Sequence, residues 1–212
     1  MREIEGTVER IGGQGDGVMT TAQGRFYIPY TVPGDRVRAR VGKAQGAGHA
    51  AELREIIAPG PDRVEPPCPH FHACGGCALQ QLAPAAYADW KRESVVAALA
   101  RQGLDGSVVA PLVATPPGAR RRAEFVTRRL SSGVLVGFHE AGGKRIVDLG
   151  ECLVLDPRLV ALMAPLRDVL AGLLAPGASV DAKATWTDSG VDLVLTGPLE
   201  LGGPARMRLA DF

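Results

Sequence analysis

Three cysteines fall within ten residues, Cys68, Cys74 and Cys77 in the stretch CPHFHACGGC, and the fourth and last in the 212-residue chain is Cys152. Four thiolates satisfy a tetrahedral zinc ion or, one per iron, a cubane cluster of four irons and four sulfides. Several details favour the cluster. Pro69 follows Cys68, as proline follows a ligand cysteine in bacterial ferredoxin runs. Gly75-Gly76 allows close backbone approach with N–H groups aimed at sulfur, which stabilises an anionic cluster. Zinc sites are more often built from two close CxxC pairs, and only Cys74 and Cys77 make one here, so zinc stands as the alternative. His70 and His72 could replace a thiolate, although histidines on such a loop are more often solvated. Unliganded buried cysteines seldom cluster this way, and disulfides are rare in a reducing compartment.

A second set of residues suits an anionic polymer. The run ARRRAEFVTRR carries Arg120, Arg121, Arg122, Arg128 and Arg129 against Glu124 alone. In an extended strand Arg120 and Arg122 share one face and Arg121 takes the other. Such a patch suits phosphate contacts, and arginines also stack on unpaired bases. Further upstream, GRFYIPY interleaves Arg25, Phe26, Tyr27 and Tyr30 in the way single-strand binders do, with core packing an equal explanation for Phe26. The strand RVRARV puts Arg36, Arg38 and Arg40 on one face, as any half-buried strand would.

These residues must be positioned by two kinds of element. Residues 1–60 read as short strands separated by glycine turns: Ile4 to Ile11, Val18 to Ala22, Arg25 to Ile28, Arg36 to Val41 and the run AELREII. Five or so such strands fit a small OB-like barrel, because closure hides the sheet edges. The linker APGPDRVEPP supplies no apolar period and marks a boundary. Pro84 to Gln102 is a helix between proline and glycine breakers. From Glu124 to Asp148 an antiparallel meander follows, with turns at Ser131 to Gly133 and at Gly142-Gly143. Asp156-Pro157 starts a helix whose Leu159, Leu162, Met163, Leu166, Val169, Leu170 and Leu173 share one face, with a kink expected at Pro165. VDAKATWT and VDLVLTG form a hairpin, and the strand pattern is expected to continue to Phe212. The fold class is therefore β-rich α+β: an OB-like barrel over 1–60, then an antiparallel-sheet domain with helices over 61–212.

Composition excludes several classes. The chain is 46% hydrophobic, with formal net charge +1, so nothing global advertises nucleic acid and any such partner must meet a local patch. No apolar run approaches the roughly 18–20 residues of a membrane span, and the N-terminus lacks a secretory pattern. A cytosolic location is expected.

The segment CPHFHACGGCALQQLAPAAYADWKRESVVAALARQGL, together with RRRAEF and GFHEAGGKRIVDLGECLVLDP, resembles the iron–sulfur RNA uracil-C5 methyltransferases, in particular their 23S ribosomal RNA branch. The resemblance implies that residues 1–60 are a TRAM domain, an OB-like RNA-binding barrel, and that 61–212 belong to the central domain, incomplete at its C-terminus. It implies a 4Fe-4S cluster on Cys68, Cys74, Cys77 and Cys152. It also implies RNA as partner, ribosomal before transfer RNA, and S-adenosylmethionine as methyl donor of the parent enzyme. RNA contacts are expected at Arg120, Arg121, Arg122, Arg128, Arg25 and Tyr27. The family's chemistry needs a nucleophilic cysteine for uracil C6, a base for the C5 proton and a glycine-rich turn for the cofactor. With all four cysteines assigned to the cluster and no G-x-G after a buried strand, no catalytic residue is assigned. A Rossmann-like catalytic domain is expected to lie outside this chain, which alone would not turn over. A different class stays open: a stand-alone RNA-binding adaptor with a structural metal site.

Overall fold

The computed structural model describes residues 2–199, 202–210 and 212, which form a mixed α and β structure with two sheets and three α-helices. The chain divides into two units: residues 1–71 with 77–114, and residues 72–76 with 115–212. No helix among the described residues is long and apolar enough to cross a membrane.

In the first unit a six-stranded sheet runs in the order β1-β5-β6-β4-β3-β2, from β1 (Glu3–Thr7), β2 (Arg10–Ile11), β3 (Gly17–Thr21), β4 (Gly24–Ile28), β5 (Arg36–Gln45) and β6 (Gly48–Ala58). Alternation decides its core: Ile4, Phe26, Ile28, Val37 and Ala39 turn inward, while Glu3, Glu5 and Arg36 stay in solvent. The strand expected over Ile4 to Ile11 is one segment that changes partner. Val8 N–H donates to the Asp35 carbonyl at 2.8 Å and Glu9 N–H to the Val18 carbonyl at 2.8 Å. The two ends of the strand order, β1 and β2, are thus consecutive in the chain, and β4 and β6 pair in parallel.

The linker is not loose. Asp35, fully buried, accepts from the backbone N–H of Val32 (2.7 Å) and Gly60 (2.8 Å) and from Arg63 Nε and Nη2 (2.9 and 2.7 Å). Arg63 Nη2 also donates to the Tyr30 carbonyl at 2.7 Å. A Cβ on Gly60 would stand 2.8 Å from the Asp35 amide nitrogen, so only glycine admits this approach. The composition change near residue 60 therefore falls inside this unit. Helix α1 (Pro84–Arg101) has no fully buried residue; Ala86, Tyr87 and Trp90 lean on a small cluster of Ile11, Val32 and Leu82.

The second unit holds an antiparallel sheet in the order β11-β10-β7-β8-β9: β7 (Arg122–Leu130), β8 (Gly133–His139), β9 (Ile146–Asp148), β10 (Ser179–Thr187) and β11 (Gly190–Thr196). Helix α2 (Pro157–Leu173) covers one face, with Leu159, Met163, Leu166, Val169, Leu170 and Leu173 buried against Phe125, Val136, Val180 and Ala182. The expected apolar face is thus buried apart from Leu162, which is half-buried. The strand expected to continue towards Phe212 is instead a helix, α3 (Gly203–Ala210), with Glu200, Leu201 and Asp211 of that stretch outside the described residues. Pro204 suits the first helical turn, and Ala205 and Leu209, four apart, lie on one side and pack on the core.

Candidate metal centre and nucleic-acid interface

All four cysteines are free thiols and half-buried. Cys68 and Cys77 belong to the first unit, Cys74 and Cys152 to the second. Cys68 opens a turn in which Phe71 N–H donates to its carbonyl at 3.1 Å, and buried Phe71 packs edge-on to Tyr30 with ring centroids 5.3 Å apart. Cys74 is positioned by the sheet of its own unit. It forms an antiparallel bridge with Glu140, flanked by Gly75 N–H to the His139 carbonyl (2.9 Å) and Ala141 N–H to the Ala73 carbonyl (3.0 Å). A Cβ on Gly75 would stand 3.1 Å from the His139 oxygen, so a larger residue would press the pairing apart by a few tenths of an ångström. Gly76 N–H donates to Cys74 Sγ at 3.4 Å, the contact expected of this glycine pair.

Cys152 lies between β9 and α2, packed against the core beside buried Leu149 and Leu155. Arg167 of α2 fixes that approach through the Asp148 carboxylate (2.7 Å) and the Leu149 carbonyl (2.7 Å). Among the described residues no three or more His, Cys, Asp or Glu side chains gather into a metal-binding group, and each unit holds two of the cysteines. Each unit offers two reduced, half-buried thiols, soft donors of the kind a metal takes, and the Cys74 sulfur already receives a backbone N–H.

The arginine run departs from its expected alternation. Strand β7 begins only at Arg122. Arg120 is pinned by its N–H to the Val154 carbonyl (3.1 Å) and by the Asp156 N–H to its own carbonyl (2.9 Å). Because residues 120 and 121 precede the strand, the period of two does not govern them. Arg120, Arg121 and Arg122 instead line one open cleft of about 470 Å³ with Thr185, Trp186, Thr187 and Asp188. Arg121 Nη1 stands 3.9 Å from Asp188 Oδ1. Arg128 lies further along β7, exposed on the same face as Arg122, away from the core-facing Ala123, Phe125 and Thr127.

Beside the cleft, the Arg158 guanidinium lies over the Trp186 ring, 4.2 Å from its centroid. Its Nε and Nη2 donate to Asp156 at 2.8 and 2.6 Å, and Asp156 also caps α2 by accepting the Arg158 N–H at 3.0 Å. These bonds from Arg158, side chain first and backbone second, hold the Asp156 carboxyl down at about 2. Trp186 and Arg158 were not marked by the sequence. Trp186 sits in the inward series of β10 and reads as core; only the pairing of Thr185 with Arg122 brings it beside the arginines.

In the first unit Arg25 and Tyr27 share the outer face of β4 while Phe26 and Ile28 are fully buried, which assigns Phe26 to the core. Arg10 pairs with Val18, which pairs with Tyr27, so Arg10 and Tyr27 lie on the same face across β2–β3–β4. Two of the three arginines of β5 are occupied: Arg38 bonds Glu5 (2.6 Å) and Glu55 (2.5 Å), and Arg40 bonds Glu52.

The fold is that of a known class. It matches the crystal structure of a Pyrococcus abyssi tRNA (uracil-54, C5)-methyltransferase in complex with S-adenosyl-L-homocysteine, with a TM-score of 0.66 over 96% of this chain and 48% of that one, at 20% identity. Its sequence relatives are RNA methyltransferases. One from Brucella suis is 42% identical over 96% of this chain and 48% of its own length. One from Caulobacter vibrioides is 39% identical over 96% and 50%. The 23S rRNA (uracil(1939)-C(5))-methyltransferase RlmD of Halomonas elongata is 37% identical over 89% of this chain and 40% of its own. The chain spans about half the length of these relatives. No protein-family model matches it.

Proposed function

We propose that the chain is the RNA-recognition and iron–sulfur portion of an S-adenosylmethionine-dependent uracil-C5 methyltransferase acting on 23S ribosomal RNA in the cytosol. The observation that carries this reading is the similarity to a 23S rRNA uracil-C5 methyltransferase across nine-tenths of the chain (89%). In this reading residues 1–60 are an OB-like TRAM barrel, supported by a strand order whose two ends are one continuous segment and by the parallel pairing of β4 with β6. Residues 61–212 are the central domain. The nucleophile, the base and the S-adenosylmethionine site belong to sequence outside this chain.

Cys68, Cys74, Cys77 and Cys152 hold a 4Fe-4S cluster. When bound, the cluster supplies a rigid inorganic core on four thiolates. The chain's own residues do the rest. Gly76 N–H steadies the Cys74 sulfur, Arg167 and Asp148 hold the approach to Cys152, and Arg120, Arg121, Arg122 and Arg128 offer guanidinium groups to phosphate. Arg25 and Tyr27 form a second contact on the outer face of β4.

The test is the iron, acid-labile sulfide and zinc content of anaerobically purified chain, beside fluorescence anisotropy with a labelled ribosomal RNA fragment. About four irons and four sulfides with a brown charge-transfer band, and RNA affinity that falls with salt, are expected. One zinc without sulfide would replace this reading with an RNA-binding adaptor on a structural zinc site.

A further inference from the structure

The cleft at the start of β7 has a feature that phosphate contacts alone do not call for. Trp186 ends the inward-facing series Val180, Ala182, Ala184 of β10, yet it lines the open cleft with three arginines. One face of its indole is covered by Arg158. That guanidinium is already committed to Asp156 through two hydrogen bonds, so it braces the ring and is not free for a ligand anion. Arg120, Arg121 and Arg122 have one carboxylate among them in the cleft, Asp188, fully exposed and 3.9 Å from Arg121. The site therefore favours a ligand that is both anionic and flat. Its volume, about 470 Å³, lies in the range of small-ligand sites.

We infer that this cleft takes one unpaired nucleotide of RNA, its base against the Trp186 indole and its phosphates on Arg120, Arg121 and Arg122. The inference rests on the reading of the chain as an RNA binder and adds the base contact. Tryptophan and arginine are the side chains on which splayed-out bases stack, whatever their sequence. Thr185 and Asp188 line the same cleft and bring a hydroxyl and a carboxylate within range of a base edge.

The chain has two tryptophans, Trp90 and Trp186. In Trp90→Phe protein the emission of Trp186 alone is followed while a short oligouridylate, the same oligomer made abasic, inorganic phosphate and a polyaspartate peptide are each titrated in; binding of labelled oligouridylate is followed separately by anisotropy. The expected result is saturable quenching by oligouridylate, about tenfold weaker binding of the abasic oligomer, and no response to phosphate or polyaspartate. Arg121→Ala, a change at a well-exposed side chain, is expected to lower the slope of log affinity against log salt by about one. Equal responses to the oligouridylate and its abasic form, or to polyaspartate, would overturn the base contact. Oligouridylate binding by anisotropy with Trp186 silent would overturn it too, while leaving RNA recognition standing. Absence of oligouridylate binding at low salt would remove the RNA reading itself.

Discussion

Asp35 ties the turn before β5 to the segment after β6, and its loss is expected to be costly for the first unit. Its carboxylate is fully buried and accepts four N–H bonds, two from backbone and two from Arg63, whose side chain is 15% exposed. Replacing it by asparagine keeps the shape but leaves one oxygen to accept, and turns an NH2 towards groups that are themselves donors. Removing one partner of a buried pair strands the other charge, at a cost of about 3–5 kcal/mol. Against a typical domain stability of about 5–15 kcal/mol, that is a large share. Asp35→Asn is therefore expected to destabilise the first unit by about 3–5 kcal/mol. Arg63→Ala should cost a comparable amount, and the double variant should cost less than the sum of the two.

Two units make a single global transition unsafe to assume, so the probe must report one of them. Trp90 packs in the first unit and Trp186 in the second. Urea unfolding followed by Trp90 emission in Trp186→Phe protein isolates the first. The control is Arg38→Ala, which breaks two pairs whose members are 41–52% exposed and should cost no more than about 1 kcal/mol. An Asp35→Asn midpoint no lower than that of Arg38→Ala would refute the argument that burial and four accepted bonds set the cost.

Gly137→Ala is expected to destabilise the second unit by about 2 kcal/mol or more, read by Trp186 emission in urea, because its Cβ would fall on the Val147 carbonyl oxygen across β8–β9. Cys152→Ser should lose most iron and sulfide by elemental assay, whereas His70→Ala should keep both; retention in the serine variant would count against the four-cysteine set. The Asp156 carboxyl is held from its ordinary 3.8 down to about 2, so its stabilising contribution is complete above about 3.8 and is lost as pH falls through about 2. Acid titration of the second unit should show this step in the wild-type chain and not in Asp156→Asn.

Much of the second unit is legible locally. Asp156-Pro157 states the start of α2 and the leucine spacing states its buried face, because caps and the 3.6-residue period are properties of neighbours in sequence. The end of the chain misreads for the same reason. Leu199 and Leu209 suit either period, and what selects the α3 helix is packing on the core, which no short window contains. The split of the first strand into β1 and β2 depends on Asp35 and Val18, residues from two different strands or turns. The cysteines are legible as a ligand set from type and spacing. The arginine cleft is not, since it needs Thr185 to pair with Arg122, 63 positions away in sequence, in a register that only the folded sheet supplies.

Three arginines also line one face of β5, Arg36, Arg38 and Arg40, as three line the cleft at the start of β7. Pairing separates the two sets. Arg38 and Arg40 are covered by Glu5, Glu55 and Glu52 from the neighbouring strands β1 and β6, so that face is a ladder of opposite charges and its field beyond a Debye length of about 8 Å is small. Arg120, Arg121 and Arg122 have one long ion pair among them, Arg121 with the fully exposed Asp188 at 3.9 Å, and Arg121 also feels the Asp156 carboxylate, which Arg158 already holds. With a net charge of only +1 the molecule cannot attract RNA as a whole. Attraction must come from where basic residues lack partners, and salt dependence is where the difference is measurable. Neutralising Arg38 should leave the slope of RNA affinity against salt unchanged, while neutralising Arg121 should lower it by about one. Equal effects at the two positions would mean that the pairing on the first sheet opens when RNA arrives, and that charge count rather than charge pairing decides where it binds.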